Sequence, residues 1–493
     1  MKDLTLNELL TACENPITPY GIDKNAVIYP MPFCYDFNEN SVLFLSDKVG
    51  NEERETELQF LKKKPPFAII TSYDKIITSC PCPIIRTKDV RGALSRALSL
   101  LYEIDYSKIK FIGVTGTNGK TTTATIIYEI LSHCGYKTGF IGTGKIISCA
   151  QLLTSPTYSM TTPDPSVLYP AIRRMADDGC EFIVMEVSSH SIALGKVEPI
   201  CFEYAIFTNL DSDHLDFHKT KEEYFLTKLK LFSKTKTGLF NLDDEYCKRA
   251  YHLAECKKLT FGVIERGDVF ATDVVLKSLN ESTFFYREKD LIFKAHTNLG
   301  GAFNVYNVLA ALKCVIDLGI KPCIAKSALK GIGGVEGRME VIRGKVTAII
   351  DYAHTPMAFY NCLKTVKSDI NQKQSLIVVF GCGGNRDREK RPLFGKYAEL
   401  LADKVIITED NSRNESFDTI AKDITSGMKL QDCEIIKDRE SAIKYAFKIA
   451  NEGDVIAIIG KGHERYKIVE DQYIPLDERQ IINGILSSVG GAI

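Results

Sequence analysis

Apolar and polar positions along the chain change rhythm twice, near residue 105 and again near residue 336, which predicts three domains over 1–105, 106–336 and 337–493. In the first stretch, short apolar runs such as SVLFLS and FAIITS are separated by charged, proline-containing turns such as KKKPP, so a small α/β module is expected. From residue 109 the pattern becomes strand, glycine-rich loop and helix: KIKFIGV, TGTNGK, TTTATIIYEILSHCGY, then a new apolar run at KTGFIGT. That alternation predicts a βαβ unit and a parallel sheet. After GVEGRME it restarts, and VTAIIDYAHTP, SLIVVFGCGGN, KVIITEDN and DVIAIIGKGHE each carry an apolar run into a polar or glycine-rich loop. A doubly wound sheet gathers such loops along one edge, where ligands bind.

Composition narrows the class without naming a partner. A chain of 493 residues with 62 Lys plus Arg against 63 Asp plus Glu has no global field to recruit nucleic acid or an anionic membrane. No apolar stretch approaches a membrane span, and the opening MKDLTLNELL lacks the basic start and long apolar run of a signal peptide, so a cytoplasmic location is expected. The 15 cysteines are scattered without a C-x-x-C. Cys80 and Cys82 form the only close pair, and reduced thiols rather than zinc or disulfides are expected.

Gly116, Thr117, Asn118, Gly119, Lys120, Thr121 and Thr122 carry the first clear chemistry. A glycine-rich turn between strand and helix lets backbone N–H groups converge on phosphates, with the lysine reaching the β and γ phosphates and the following hydroxyl facing Mg²⁺. The spacing departs from the simple pattern, because Val114 stands where a first glycine would be and Gly113 lies one residue earlier. A second element follows in EFIVMEVSSH, where an apolar run delivers Glu186 to the end of a neighbouring strand, a place for a carboxylate that holds a nucleotide's magnesium. Four of the eight histidines, His190, His214, His354 and His463, are expected in short polar loops directly after apolar runs. Lys228 in YFLTKLKLF reads from the residues alone as a solvated or snorkelling charge on an amphipathic helix.

GVTGTNGKTTT, MEVSSHS, TNLDSDHLDFH, FNVYNVLAA, GRMEVI, DYAHTP, GCGGNRDREKRP and GKGHE, in this order over roughly residues 110 to 485, resemble the Mur ligases, and within them the branch that adds the third residue of the peptidoglycan stem peptide. The resemblance implies an N-terminal domain for a uridine nucleotide, a central P-loop domain for ATP and a Rossmann-like C-terminal domain for the incoming amino acid. It implies phosphate-loop roles for Lys120 and Thr121, metal-site roles for Thr121, Glu186 and His214, and adenine, phosphate and ribose contacts for Asn304, Asn307, Arg338 and Asp351. Lys228 matches a lysine that CO₂ converts to a carbamate anion beside a second magnesium, where an ammonium with a pKa of ~10.4 would repel the metal. Lys230 is its internal control.

The implied substrates are ATP, UDP-N-acetylmuramoyl-L-alanyl-D-glutamate and meso-diaminopimelate. Thr161, Thr162, Ser188 and Lys196 match the loops for the UDP substrate, while Leu194 and Lys196 depart from the glutamine and arginine of some members. Asp36, Asn38 and Ser41 only faintly echo a uridine segment. Arg391, Asp410, Asn411, Ser412, Arg413, Gly460 and Glu464 match the amino-acid site. Diaminopimelate-specific members carry D-N-P-R where this chain has Asp410, Asn411, Ser412 and Arg413, so an arginine remains to receive a substrate carboxylate while the rigid proline is lost. On the residues alone, Arg413 reads as a helix cap or as the partner of Glu409 or Glu415. Lysine-adding or other ligases of the superfamily, and a nucleotide-dependent regulatory P-loop protein, remain the alternatives.

Overall fold

The computed structural model of the chain describes residues 2–32, 34, 36–45, 60–72, 82–154, 160–430, 432–470 and 472–490. Cys80 of the close cysteine pair lies outside the described residues. The described strands assemble into three principal sheets, in keeping with the expected α/β class.

The first sheet has five strands in the order Leu4–Thr5, Val27–Pro32, Ser41–Leu45, Ala68–Thr71 and Ile84–Arg86, parallel except for the first pair. The second has eleven strands. Its heart is a parallel run in the order Val269–Ser278, Lys257–Gly262, Thr235–Asn241, Phe202–Phe207, Lys110–Thr115, Phe182–Glu186 and Thr138–Gly142. Phe182–Glu186 is buried at every position, as a strand covered on both faces must be, which explains its unbroken apolar sequence. Two antiparallel additions flank this run: Glu281–Glu288 with Leu291–Thr297 at one edge, and Lys145–Ser148 with Gln151–Leu152 at the other. The βαβ pattern did not announce either of them.

The third sheet runs Glu340–Ile342, Thr347–Asp351, Val455–Ile459, Leu376–Phe380, Lys404–Ile407 and Glu434–Ile435, parallel apart from its first pair. The four apolar runs singled out in the sequence are neighbours here, so the loops that follow them share one edge. Beyond GKGHE the chain adds a hairpin, Tyr466–Val469 with Gln472–Pro475, and a helix, Glu478–Gly490, neither of which the sequence pattern predicted. Among the described residues no helix is long and apolar enough to cross a membrane.

Candidate active site

The strand Lys110–Thr115 ends in a loop and then the helix Lys120–His133, and the loop geometry needs both its glycines. Gly116 has φ 147° and Gly119 φ 84°. A Cβ on Gly116 would lie 1.9 Å from Thr208 Oγ1, and one on Gly119 would lie 2.3 Å from Asn307 Oδ1. The loop is thus threaded between the strand ends and the helix Ala302–Asp317. Lys120 folds back over the loop, donating to the Gly116 and Thr117 carbonyls at 3.0 and 2.8 Å, and burial pushes its pKa down. The Asn118 N–H donates to Asn209 Oδ1 at 2.9 Å, and its Nδ2 donates to Thr355 Oγ1 at 3.3 Å, which ties the loop to the third sheet.

Glu186, fully buried at the end of the adjacent strand, gathers hydroxyls. Thr121 Oγ1 donates to its Oε2 at 2.8 Å, Thr143 Oγ1 does so at 3.1 Å, and the Thr143 N–H binds Oε1 at 2.8 Å. Arg338 Nη2 donates to Thr121 Oγ1 at 3.0 Å, tying the segment just before the strand Glu340–Ile342 to the first turn of the helix Lys120–His133. Thr122 is buried in the first turn of the same helix. Thr161 shares a hydroxyl contact with Thr143 at 3.1 Å, and Thr162 donates to the Glu186 carbonyl at 2.9 Å. Ser188 caps the short helix Ser189–Ala193 by accepting from the Ser191 N–H at 3.1 Å, so His190 is helical rather than in a loop. Lys196 pairs with Asp164 at 2.7 Å.

Lys228 is 1 % exposed, against the reading of a solvated helix charge, whereas Lys230 is exposed. Its Nζ donates to the Gly116 carbonyl at 3.0 Å and lies 4.6 Å from the Tyr224 ring centroid, beneath the phosphate loop. Burial, reinforced by the neighbouring Lys120 charge, holds its pKa well below the ordinary lysine value. His214 and His190 stand edge to face with ring centroids 4.7 Å apart, and burial lowers them to about 3 and about 4, leaving neutral imidazoles at pH 7.

Asp213, which the sequence reading passed over, sits at the junction of the second and third sheets. His214 Nε2 lies 3.4 Å away, while His354 Nε2 at 3.3 Å and Lys390 Nζ at 3.6 Å approach from the third sheet. Burial would raise its pKa, yet the hydrogen bond from His354 and the nearness of His214, His354 and Lys390 hold it well below the carboxylate range. His354 and His463 both flank Tyr352, each with centroids 4.9 Å away, and Arg338 stacks over the same ring at 4.6 Å.

A cavity of about 750 Å³ runs from the phosphate loop to the third sheet and is lined by Lys120, Glu186, Asn307, Arg338 and Asp351 among others. Asn304 and Asn307 occupy one face of the helix Ala302–Asp317, with Asn307 Nδ2 donating to Asn304 Oδ1 at 3.0 Å and Asn304 Nδ2 to the Gly300 carbonyl at 2.8 Å. Asp351 accepts the Met339 and Ala353 N–H groups, both at 2.7 Å.

At the shared edge of the third sheet, Asp410, Asn411, Gly460 and Glu464 come together around Lys461. Lys461 Nζ is 3.0 Å from Asn411 Oδ1, 2.9 Å from Glu464 Oε2 and 3.6 Å from Asp410 Oδ1, and Asn411 Nδ2 donates to Glu464 Oε2 at 2.9 Å. Gly460, at φ 122°, leaves room for Asp410, whose Oδ2 would lie 2.6 Å from a Cβ there. Arg413 donates to the Gly384 and Asn411 carbonyls at 3.0 and 3.2 Å. Both carboxylates that the sequence offered it are engaged elsewhere: Glu409 with Lys467 at 3.0 Å, and Glu415 with Arg391 at 2.7 Å.

Arg391 departs from its expected place. It is wholly buried and bound through Nη1 and Nη2 to Glu415 Oε1 and Oε2, both at 2.7 Å, and to Asp423 at 2.8 Å, so it braces the loop from behind and presents no guanidinium to a ligand. Arg386, five positions earlier, stands in the exposed position instead. A Cβ on Gly383 would lie 3.1 Å from Arg413 Nη1 and 3.6 Å from Arg386 Cγ, so the two arginines converge over that glycine, and burial together with the Arg386 charge lowers the Arg413 pKa. The Arg386 guanidinium itself extends toward the second sheet, with Nη1 4.0 Å from Asp216 Oδ2. In the first sheet Asn38 and Ser41 bond to each other at 3.1 and 3.2 Å, an ordinary turn, and Asp36 is exposed.

Comparison with known proteins places this geometry in context. The Mur ligase middle domain matches residues 114–315, and the Mur ligase, glutamate ligase domain matches residues 337–462. The UDP-N-acetylmuramoyl-L-alanyl-D-glutamate--2,6-diaminopimelate ligase of Aquifex aeolicus is 41 % identical over 424 residues, 84 % of each chain. That of Clostridium botulinum is 39 % identical over 83 % of this chain and 84 % of its own. A solved structure of a ligase of the same name is 28 % identical, with a TM-score of 0.68 over the whole of both chains.

Proposed function

The chain belongs to the Mur ligase family, and from that premise we propose that it is an ATP-dependent ligase adding meso-diaminopimelate to the D-glutamate of UDP-N-acetylmuramoyl-L-alanyl-D-glutamate, a step in making peptidoglycan precursor. Joining an amine to a carboxylate in water requires the carboxylate to be activated. A carboxylate oxygen of the D-glutamate attacks the γ-phosphorus of ATP, ADP leaves, and an acyl phosphate forms. The incoming amine then attacks the acyl carbon, gives up a proton, and the tetrahedral intermediate expels phosphate as the amide closes. With nucleotide substrates of this kind, the reaction belongs in the cytoplasm.

Each residue has work in this scheme. Lys120 offsets charge on the transferring phosphoryl group once phosphate displaces the loop carbonyls it now holds. Asn304, Asn307, Arg338 and Asp351 surround the nucleotide, with Arg338 available to both the phosphates and the ring of Tyr352. Thr161, Thr162, Ser188 and Lys196 receive the dipeptide end of the UDP substrate. Thr121 and Glu186 would hold magnesium with His214 alongside, because a hydroxyl and a carboxylate are hard oxygen donors and the imidazole is neutral. The metal supplies positive charge to the phosphates. The depressed pKa of Lys228 favours the neutral amine that CO₂ requires, and the carbamate formed with loss of one proton would turn this position from a cation into an anion.

The observation that carries the choice of amino acid is Arg413 at the sheet edge, bonded to carbonyls rather than to a carboxylate, with the Arg386 side chain beside it at Gly383. Diaminopimelate differs from lysine by a carboxylate on its side chain, and an ammonium-tipped side chain has no use for an arginine there. The test is ligation measured as phosphate release and product with ATP, the UDP-dipeptide and either diaminopimelate or L-lysine. Wild type is expected to prefer diaminopimelate, and Arg413→Ala to lose about 2 to 5 kcal/mol of kcat/KM for it with little effect on ATP. Preference for lysine, or an unchanged ratio in the variant, defeats the diaminopimelate assignment. ATP turnover without any acceptor supports a regulatory protein instead.

A further inference from the structure

Arg413 adopts φ 50°, in the left-handed region that a side chain disfavours, at the end of a turn almost wholly out of solvent: Glu409, Asp410, Asn411 and Ser412 are 4, 8, 7 and 3 % exposed. Something must hold the arginine there. Ser412 Oγ donates to Glu409 Oε1 at 3.0 Å, and Lys467 Nζ binds the other oxygen of the same carboxylate at 3.0 Å. Lys467 belongs to the hairpin Tyr466–Val469/Gln472–Pro475, whose backbone grips the turn on both sides. The Arg413 N–H donates to the Ile468 carbonyl at 3.1 Å, the Glu470 N–H donates to the Arg413 carbonyl at 2.8 Å, and the Ile468 N–H donates to Asn411 Oδ1 at 2.9 Å.

We propose that Ser412, Glu409 and Lys467 are positioning residues: a relay from the C-terminal hairpin that fixes the aim of the Arg413 guanidinium and so sets the preference for an amino acid with a side-chain carboxylate. The inference rests on the reading of Arg413 as the receptor of that carboxylate. Rigidity that a side-chain hydrogen bond supplies at 412 can also be supplied covalently by a proline ring, and Ser412 itself has a negative φ, which proline shares. Ser412→Ala removes the hydroxyl and adds no rigidity, Ser412→Thr keeps the hydroxyl, and Ser412→Pro exchanges one restraint for the other.

The experiment measures kcat and KM for diaminopimelate, L-lysine and ATP in the full-length wild type and these three variants, with thermal melts alongside. Ser412→Ala is expected to raise the KM for diaminopimelate about 5- to 20-fold while the KM for ATP moves less than about 2-fold. Ser412→Thr and Ser412→Pro should each recover most of that loss, and Lys467→Met should reproduce the alanine phenotype from the far end of the relay. A purely structural role would lower the melting temperature and raise both KM values together, which overturns the proposal. An unchanged diaminopimelate-to-lysine ratio in Ser412→Ala, or a proline variant as impaired as the alanine one, overturns it too. Wild type preferring lysine would defeat the diaminopimelate assignment, whereas wild type preferring diaminopimelate with an indifferent Ser412→Ala defeats only the relay.

Discussion

Lys228 and Lys230 stand two positions apart, yet one is sealed beneath the phosphate loop and the other points into solvent. Burying a lysine is costly unless its charge is removed or matched, and the polar neighbours recorded for Lys228 are the Gly116 carbonyl and, at 3.5 Å, Thr115 Oγ1, with Lys120 adding like charge. The carbamate proposed above, with magnesium near, would resolve that conflict. Lys228→Ala is therefore expected to lose roughly 100-fold or more in ligation rate and to be partly rescued by acetate or another short carboxylate, while Lys230→Ala behaves as wild type. Equal losses in the two variants would return Lys228 to a role in helix stability. At this scale motifs single out Lys120 and Glu186, and the structure places both at the phosphate loop, whereas residue type alone does not separate two lysines or two arginines in one run. Arg386 and Arg391 lie in one short run, and what separates them is that Glu415 and Asp423, distant in sequence, fold back to neutralise Arg391. No local pattern carries that information.

Among the elements, strands buried on both faces and the helix after the phosphate loop were readable because their apolar runs are long and their ends are punctuated. Gly135, at φ 85°, closes the helix Lys120–His133 with the Tyr136 N–H bonded to the Leu131 carbonyl at 3.2 Å. The hairpin that clamps Arg413 was not readable, since its strands have four residues each and lack a clear alternation of buried and exposed positions. Gly119 and Gly135 together separate backbone strain from site geometry. Both have positive φ, but a Cβ on Gly135 meets nothing within 4 Å, whereas one on Gly119 collides with Asn307 on the facing helix. Alanine at either position should cost about 1 to 3 kcal/mol of stability, and only Gly119→Ala should also weaken ATP, by displacing Asn307 from Asn304. Melting curves and the KM for ATP check this. A Gly119→Ala enzyme with a normal KM for ATP would mean that the loop and the asparagine pair are not coupled.

Over the whole molecule, the second and third sheets meet at a buried carboxylate. Asp213 receives His354 and Lys390 from the third sheet while its neighbour His214 borders the phosphate loop, and Asn118 of that loop reaches Thr355. No single-chain pattern shows which carboxylate will lie between the two sheets, because its partners His354 and Lys390 come from a distant part of the chain. These contacts join the third sheet to the phosphate loop. An acyl phosphate is hydrolysed wherever water reaches it, so the quality of that docking decides whether ATP is spent on product or on water. Lys390→Ala leaves Asp213 buried with one cation fewer and should slow ligation roughly 10-fold, with phosphate released in excess of peptide product. His354→Ala should act in the same direction, and the double variant should lose less than the sum of the two, since both act through one carboxylate. Lys396→Ala, exposed on the helix Arg391–Leu401, is the control and should keep one phosphate per product. The measurement is the ratio of phosphate to product in a single reaction. A ratio that stays at one in both Asp213-partner variants would show that the carboxylate holds the two sheets together without guarding the intermediate.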